Sequence, residues 1–360
     1  MLILTSPSPA SRQRGIARFA SRYGWYLTIE DRADPPREWR GDGVLVTLGN
    51  GRAALADAIR HYRRRGIPVV DLTLAQPRFR LPRVCGDNDE IGRLAAEHFL
   101  ASGFRHAAFY SSKAGNVQQL RADALRRHGY PGAPAIAERD RTRLAAVLRG
   151  LPKPIAVFAY SDNDATRVLN ACRDARIAVP DEVAILGVDD NEMLCCCQPV
   201  PLSSIRHDLE QVGYEGAALL QRLMDGMQAP SGPMLVPPKG IAVRRSSDVV
   251  AADSPILRQA FQIIRRDLTK ATGIGEIAAE VGVSRTELNR LARTECGHTI
   301  TGELIRQRLL RARRLLAATD LPLREIARET GFCHAAHLAN AFRRAFALTP
   351  GAYRSRQPDG

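Results

Sequence analysis

The chain has 360 residues, 52 Lys and Arg against 38 Asp and Glu, a formal net charge of +14 and 7 cysteines. That length exceeds one small domain, and so large a basic surplus points to a polyanionic partner rather than a basic one. The apolar start at residues 1–4 is too short for a secretory signal, no run approaches a membrane span, and neither a phosphate-binding glycine loop nor a nucleophile elbow occurs, so secretion, membrane insertion and enzyme activity are not expected.

Taken from the amino terminus, Leu2-Ile3-Leu4 leads through a short Ser/Pro stretch at residues 5–12 to a helix around Gly15-Ile16-Ala17. Residues 43–48 predict a strand, 53–65 a helix and 67–71 a strand. The apolar runs 107–110, 155–160 and 183–188 read as buried strands, most of them followed by helix-like sequence. Such alternation predicts an α/β fold of parallel sheets flanked by helices, with ligands bound at the carboxyl ends of the strands. At those ends lie Asp162 and Asn163, and Asp189, Asp190 and Asn191. These carboxylates and amides can meet sugar hydroxyls, which both donate and accept. The competing reading makes each a helix cap or a solvated loop residue. Cys195-Cys196-Cys197 and the other thiols lack zinc-ligand spacing, so no metal and no cofactor are expected, and reduced thiols fit a cytoplasmic protein.

Residues 246–254 form a polar link ending in Ser254-Pro255, with Pro255 in the first turn of a helix over 256–268. Beyond it a short phrase occurs twice. Glu276-Ile277-Ala278-Ala279-Glu280-Val281-Gly282-Val283-Ser284 is echoed about 49 residues later by Glu325-Ile326-Ala327-Arg328-Glu329-Thr330-Gly331-Phe332. Each copy sets a small residue and a glycine between two amphipathic helical stretches, as a helix-turn-helix requires. Ser284 and Glu287 form a capping box that starts the first reading helix at Arg285. Leu288 and Leu291 face inward and Arg285, Thr286, Asn289, Arg290 and Arg293 outward. In the second copy Leu338 and Phe342 are buried, which leaves His334, Ala335, Ala336, His337, Ala339 and Asn340 for the groove and Arg343 and Arg344 for phosphate. Arg and Asn pair with base edges in bidentate fashion, whereas alanine only touches thymine methyls. The second copy is therefore expected to read fewer positions.

The segment from about residue 255 to 356 resembles the AraC/XylS-type DNA-binding domain, in which two helix-turn-helix units flank a central helix, here 301–318. The ending Phe346-Ala347-Leu348-Thr349-Pro350-Gly351-Ala352-Tyr353-Arg354 is similar to that family's closing motif. The resemblance implies base contacts from Thr286, Asn289 and Arg290, and from Ala335, Ala336, His337 and Asn340. Ala292 departs from the family, standing where an aromatic is usual. The runs Asp87 to Leu100 and Val179 to Asp190, with Pro201-Leu202-Ser203-Ser204-Ile205 and Val243-Arg244-Arg245-Ser246-Ser247, resemble the two-lobed periplasmic-binding-protein fold of LacI-type sensors. That likeness implies a ligand-contacting arginine at Arg121.

The expected organisation is a LacI-like sensor at 1–245 and an all-α double helix-turn-helix domain at 255–360. Lobe one would span about 1–106 and 205–228, and lobe two 107–204 and 229–245. The function implied is a sequence-specific transcription regulator, a homodimer that binds double-stranded operator or promoter DNA, answers to a xylose-like pentose or similar sugar between the lobes, and meets RNA polymerase. The short Ser/Pro segment departs from the sensor pattern. It keeps open a sensor that binds another small molecule, or none, and serves for dimerisation. A reading of another class is a cytoplasmic solute-binding module with a vestigial DNA-binding domain.

Overall fold

A computed structural model describes residues 2–5, 10–30, 41–48, 53–249, 251–266, 268 and 273–355. Residues 6–9 of the Ser/Pro stretch lie outside them. The chain divides into two compact units, Met1–Val249 and Val250–Gly360.

In the first unit β1 (Leu2–Thr5), β2 (Thr28–Glu30), β3 (Val44–Thr47) and β4 (Val69–Asp71) make an all-parallel sheet in the order β2-β1-β3-β4, connected through α1 (Ala10–Tyr23) and α2 (Ala53–Arg64). Strands β3 and β4 are buried along their whole length, as continuous apolar runs in a covered parallel sheet should be. Next come β5 (Val84–Gly86), α3 (Asn88–Ala101), β6 (His106–Tyr110), α4 (Asn116–Arg127), β7 (Ala135–Ile136), α5 (Arg141–Gly150), β8 (Ile155–Ala159), α6 (Asp162–Asp174), β9 (Val183–Val188), α7 (Glu192–Cys196), β10 (Ser203–Ile205), α8 (Leu209–Met224), β11 (Met234–Val236) and β12 (Ile241–Ala242). The second sheet runs β12-β10-β9-β8-β6-β7, parallel except where β12 meets β10. A separate parallel pair joins β5 to β11.

Helix α8 returns to the first sheet and crosses α1 backbone to backbone. A Cβ on Gly15 would collide with the Glu210 carbonyl, and one on Gly213 with that of Arg12. This crossing fixes where the start of α1 points.

Three boundaries differ from the sequence reading. Strand β11, assigned there to lobe two, pairs with β5, and its Val236 joins the core under the first sheet with Ile16 and Leu45. Helix α3, assigned there to lobe one, packs against α4 of the second lobe. Its apolar face of Ile91, Ala95 and Phe99 is fully buried, so the lobes part near Gly86 rather than at 106. The segment Arg245–Ser247, two of its three residues read as link, is a 3₁₀ turn folded into the second lobe. The Ser246 hydroxyl donates to Ile185 O at 2.6 Å and accepts from Ser203 N at 2.8 Å. Ser247 Oγ lies 2.8 Å from His98 Nε2. Internal hydrogen bonds allow these polar residues to be buried.

The second unit contains α9 (Pro255–Arg266), α10 (Ile274–Glu280), α11 (Arg285–Cys296), α12 (Ile300–Ala318), α13 (Leu323–Glu329), α14 (Ala335–Phe346) and α15 (Pro350–Arg354). It has two cores. Leu257, Phe261 and Ile264 of α9 pack with Ile277, Ala278, Leu288, Ala292 and Ile300, while Leu309, Ala312 and Leu316 pack with Ile326, Ala327, Leu338 and Phe342. The central helix α12 thus gives its first turns to one core and its last turns to the other. Ala292 is buried in a core that contains the aromatic Phe261.

Candidate effector cleft and nucleic-acid interface

The carboxyl ends of the sensor strands open onto a cavity of about 670 Å³. Its wall includes Thr47 at the end of β3, Leu72 and Thr73 after β4, Gly86 at the end of β5, Tyr160 after β8, Asp189 after β9 and His207 after β10. Arg12 reaches it from α1, Asn88 from α3 and Arg121 from α4. Arg121 is 3% exposed; its Nε donates to Asn88 Oδ1 at 2.9 Å and its Nη1 to the Tyr160 carbonyl at 2.6 Å. The guanidinium also lies 4.9 Å from the Tyr160 ring centroid. Asn88 is held in turn by donating to Gly86 O at 3.1 Å. A second layer thereby orients the arginine before any ligand arrives.

Asp189 leaves β9 with φ at +103°, and Asp190 follows at +52°. Left-handed backbone at two successive non-glycine residues is strained and is kept where the surroundings over-determine it. Asp189 Oδ1 lies 3.1 Å from His207 Nδ1. Burial works against ionising Asp189, but His207, Arg121 and Arg12 outweigh it and hold the carboxyl below its ordinary range. Burial pushes the His207 imidazole down, only partly opposed by Asp189. Near neutral pH this is a carboxylate beside a neutral imidazole whose Nε2, among the described residues, has no hydrogen-bond partner. Burial likewise lowers Arg12, with Asp189 and Asp71 opposing.

Of the six expected ligand contacts, Arg121 and Asp189 line this cavity and the other four do not. Asp162 is 1% exposed, accepting from Ser204 Oγ at 2.6 Å and from Asn191 N at 2.7 Å. Burial raises its carboxyl to about 7 against those bonds. It ties α6 to β10. Asn163 is exposed on the first turn of α6. Asp190 pairs with Arg244 Nη1 at 2.7 Å and Arg206 Nε at 3.2 Å. Asn191 caps α7, accepting from Leu194 N at 3.1 Å. The left-handed turn points neighbouring side chains different ways, and strand-exit position alone does not resolve that. Thr47, the last residue of β3, and Tyr160, just after β8, were open to the same rule, whereas Arg12 on its helix and Asn88 and His207, which follow short strands that the sequence did not predict, carried no such signal.

In the second unit Ser284 caps α11, accepting from Glu287 N at 3.1 Å. The Glu287 carboxylate turns forward instead of closing the capping box and takes a two-point contact from Arg290, at 2.8 and 2.7 Å. Arg285, Thr286, Arg290 and Arg293 are exposed on one helix. Asn289 is half-buried and its Oδ1 accepts from Ile300 N at 3.3 Å, so part of its capacity braces α11 against α12. Leu288 is fully buried and Leu291 half-buried. Helix α14 is capped by His334, whose Nδ1 accepts from His337 N at 3.1 Å. That bond fits the tautomer with its hydrogen on Nε2, which can offer a donor outward. Ala336, His337, Asn340, Arg343 and Arg344 are exposed, and Ala335 and Ala339 are half-buried. The His337 ring meets Phe332 edge to face at 5.2 Å.

Among the described residues no three His, Cys, Asp or Glu side chains are grouped to hold a metal, and no helix is long and apolar enough to cross a membrane.

Two family models match the chain: a periplasmic binding protein-like domain at residues 96–247 and a helix-turn-helix domain at 277–356. The chain is 29% identical over 360 residues to the xylose operon regulatory protein of Escherichia coli K12, covering 93% of this chain and 90% of that protein. The protein of the same name from Haemophilus influenzae is 27% identical over 365 residues, covering 94% and 93%. A solved structure of a xylose-binding transcription activator, xylR, superposes with a TM-score of 0.70 at 25% identity, over 99% of this chain and 98% of that one.

Proposed function

We propose, from the premise that this chain is a DNA-binding transcription regulator joining a periplasmic-binding-protein-like sensor to a double helix-turn-helix domain, that a sugar of pentose size is its effector and binds in the sensor cleft. The observation that carries the proposal is the convergence of Arg121 and Asp189 on one cavity, each held by neighbouring groups. A buried arginine and a carboxylate at strand ends offer directed donors and acceptors to a hydroxylated ring.

DNA is read by α11 and α14. Arg290 and Thr286 face base edges in the first unit, with Arg285 and Arg293 on phosphate and Asn289 shared between the groove and α12. In the second unit His334, Ala335, Ala336, His337 and Asn340 face the groove and Arg343 and Arg344 meet phosphate. The chain works in the cytoplasm as a homodimer, by binding rather than catalysis, setting two pairs of reading helices on adjacent half-sites where RNA polymerase is met. Effector acts because it binds one arrangement of the lobes better than the other.

The test is operator affinity of the intact chain, by fluorescence anisotropy, with and without a panel of pentoses and their simple derivatives. The expected outcome is that at least one shifts the affinity. A panel in which none shifts operator affinity or melting temperature removes the sugar effector and leaves a DNA-binding protein whose sensor serves dimerisation.

A further inference from the structure

The two reading helices share one register counted from their caps. The turn glycine precedes the cap by two residues in the first unit, Gly282 to Ser284, and by three in the second, Gly331 to His334. The caps and the buried pairs Leu288 with Leu338 and Ala292 with Phe342 agree on this register, in which Arg285, Thr286, Asn289 and Arg290 correspond to Ala335, Ala336, Ala339 and Asn340. Three polar side chains of the first reading face are therefore alanines in the second. Ala335 with Ala339 and Ala336 with Asn340 are neighbours four apart on α14, and the two pairs lie side by side. Ala336 and Asn340 are exposed, and Ala335 and Ala339 half-buried. The polar groups around this patch are partly engaged within the unit: His334 Nδ1 in the cap, the His337 ring against Phe332, and Asn340 Oδ1 on Arg343 Nη2 at 3.4 Å. We infer that α14 reads the C5 methyl groups of pyrimidines, so that thymines, and cytosines methylated at C5, mark the part of the site beneath it. The inference rests on the DNA-reading role given to α14 above and specifies what that helix recognises.

An alanine side chain ends at Cβ and has neither donor nor acceptor, so it leaves the polar edges of bases unread. Its methyl does meet the thymine C5 methyl, the apolar feature of the major-groove code. Short side chains also let the helix approach the groove floor, an approach that longer side chains at the matching positions of α11 hold off. Arg343 and Arg344, one turn beyond Asn340, are exposed and anchor that approach on phosphate. Taking one methyl group out of water is worth about fourfold in affinity. The second unit thus discriminates by apolar contact where the first discriminates by hydrogen bonds.

Operator fragments selected by the intact chain from a random pool test this, with each thymine replaced in turn by deoxyuridine, which removes the methyl and keeps the base pair. The expected result is a loss of about fourfold at each of two or more thymines. Ala336→Gly and Ala339→Gly should each abolish the penalty at one of those positions. Because glycine loosens a helix, Ala336→Ser provides a second variant that costs the helix less, sets a hydroxyl against the methyl and should narrow the same penalty. Replacing such a T·A pair by C·G should lower affinity more for plain cytosine than for 5-methylcytosine. Deoxyuridine that binds as well as thymine throughout, while Arg343→Ala still lowers the salt slope, overturns methyl reading and leaves α14 on the DNA. Penalties that survive all three alanine variants belong to another residue or to DNA shape and overturn it as well. If neither the deoxyuridines, the alanine variants nor Arg343→Ala changes binding, the inference falls together with the reading role of α14.

Discussion

The two helix-turn-helix units share one internal plan and differ in what surrounds it. Ile277 and Ala278 correspond to Ile326 and Ala327, and Leu288 and Ala292 to Leu338 and Phe342, all of them at most 2% exposed. Glycines at φ +74° and +76° make the two turns. Around this common core the first unit adds a buried ionic hub and an arginine clamped by its own carboxylate, and the second adds tight packing at its turn and imidazoles on the exposed face proposed to read DNA. A repeat therefore fixes the positions of the reading helices without fixing how each is supported or what it reads.

The sharpest way to break the comparison is at the hub. Glu303, 0% exposed, accepts from Arg306 Nε and Nη2 at 2.8 Å each and from Gln307 Nε2 at 2.8 Å, and lies 3.0 Å from His298 Nε2. Removing one member of a buried ion network costs about 3–5 kcal/mol. Glu303→Ala should thus melt the first unit ahead of the second, read by amide hydrogen exchange of α10 and α11 against α13 and α14. Burial opposes ionisation of Glu303, yet its partners bring the carboxyl down to about 2. With the folded value below the unfolded one, its contribution is complete above about pH 4.5 and is lost as pH falls towards 2. His298 is shifted the other way, raised chiefly by Glu303. Its contribution is present below about 6.5 and is lost as pH rises through its folded value. Acid protection of the first unit that survives to pH 2 unchanged, or that is equal in the two units, would refute the hub's asymmetry.

The turns come next. A Cβ on Gly331 would run into the Leu268 carbonyl and lie 2.9 Å from Arg308 Nε, itself donating to that carbonyl at 3.1 Å, whereas a Cβ on Gly282 meets nothing within 4 Å. Both substitutions to alanine incur left-handed strain of about 1–2 kcal/mol. Gly331→Ala adds overpacking, for a total of about 3 kcal/mol or more. Unfolding of the two full-length variants by urea should rank Gly331→Ala well below Gly282→Ala, and equal midpoints would show that the second turn is no tighter than the first.

Why the units were easier to read in the sequence than the cleft follows from the same contacts. Helical spacing, a capping serine and a turn glycine are local, so 276–291 and 325–342 reveal their helices directly. The sensor strands β3, β6, β8 and β9 were legible for a related reason, since parallel strands covered on both faces are written as apolar runs. The cleft is assembled from residues far apart in sequence. Arg12 enters through the Gly15–Gly213 helix crossing and His207 through its bond to Asp189, neither of which leaves a local pattern. Asp162 and Asp190 have the composition of ligand residues but serve as internal ties. Ser246 and Ser247 look like a linker because they are polar, and the partners that satisfy their hydroxyls lie at residues 98, 185 and 203.

Base reading separates the units by a smaller amount. Arg290→Ala removes a side chain that Glu287 engages on an exposed helix, and loss of a bidentate guanine contact costs about 1–3 kcal/mol at the affected position. Asn340→Ala in the second unit should cost less, because its Oδ1 is already drawn to Arg343 Nη2 at 3.4 Å. Arg343→Ala should weaken all sequences alike and lower the salt slope by about one. Selection of bound sequences from a random pool distinguishes these outcomes, and unchanged preference after Arg290→Ala would remove the first unit's lead.

The smallest expected effect concerns how each reading helix ends. Helix α11 stops at Gly297 with φ +73°, whereas α14 stops at Ala347 with φ +54°. Each cap residue donates its backbone N–H to the carbonyl four residues earlier, that of Arg293 or of Arg343. The hydrogen bonds are equivalent, so the difference lies in the Cβ that alanine carries in a left-handed conformation. Relieving it with Ala347→Gly should stabilise the second unit by about 1 kcal/mol, less whatever flexibility glycine adds to the unfolded chain. Gly297→Ala should destabilise the first unit by a similar amount. Opposite shifts of the two units' hydrogen-exchange protection would establish that both helices end by one device, carried by a suited residue in one unit and a strained residue in the other. Shifts of the same sign would mean that packing beyond the cap sets the helix ends.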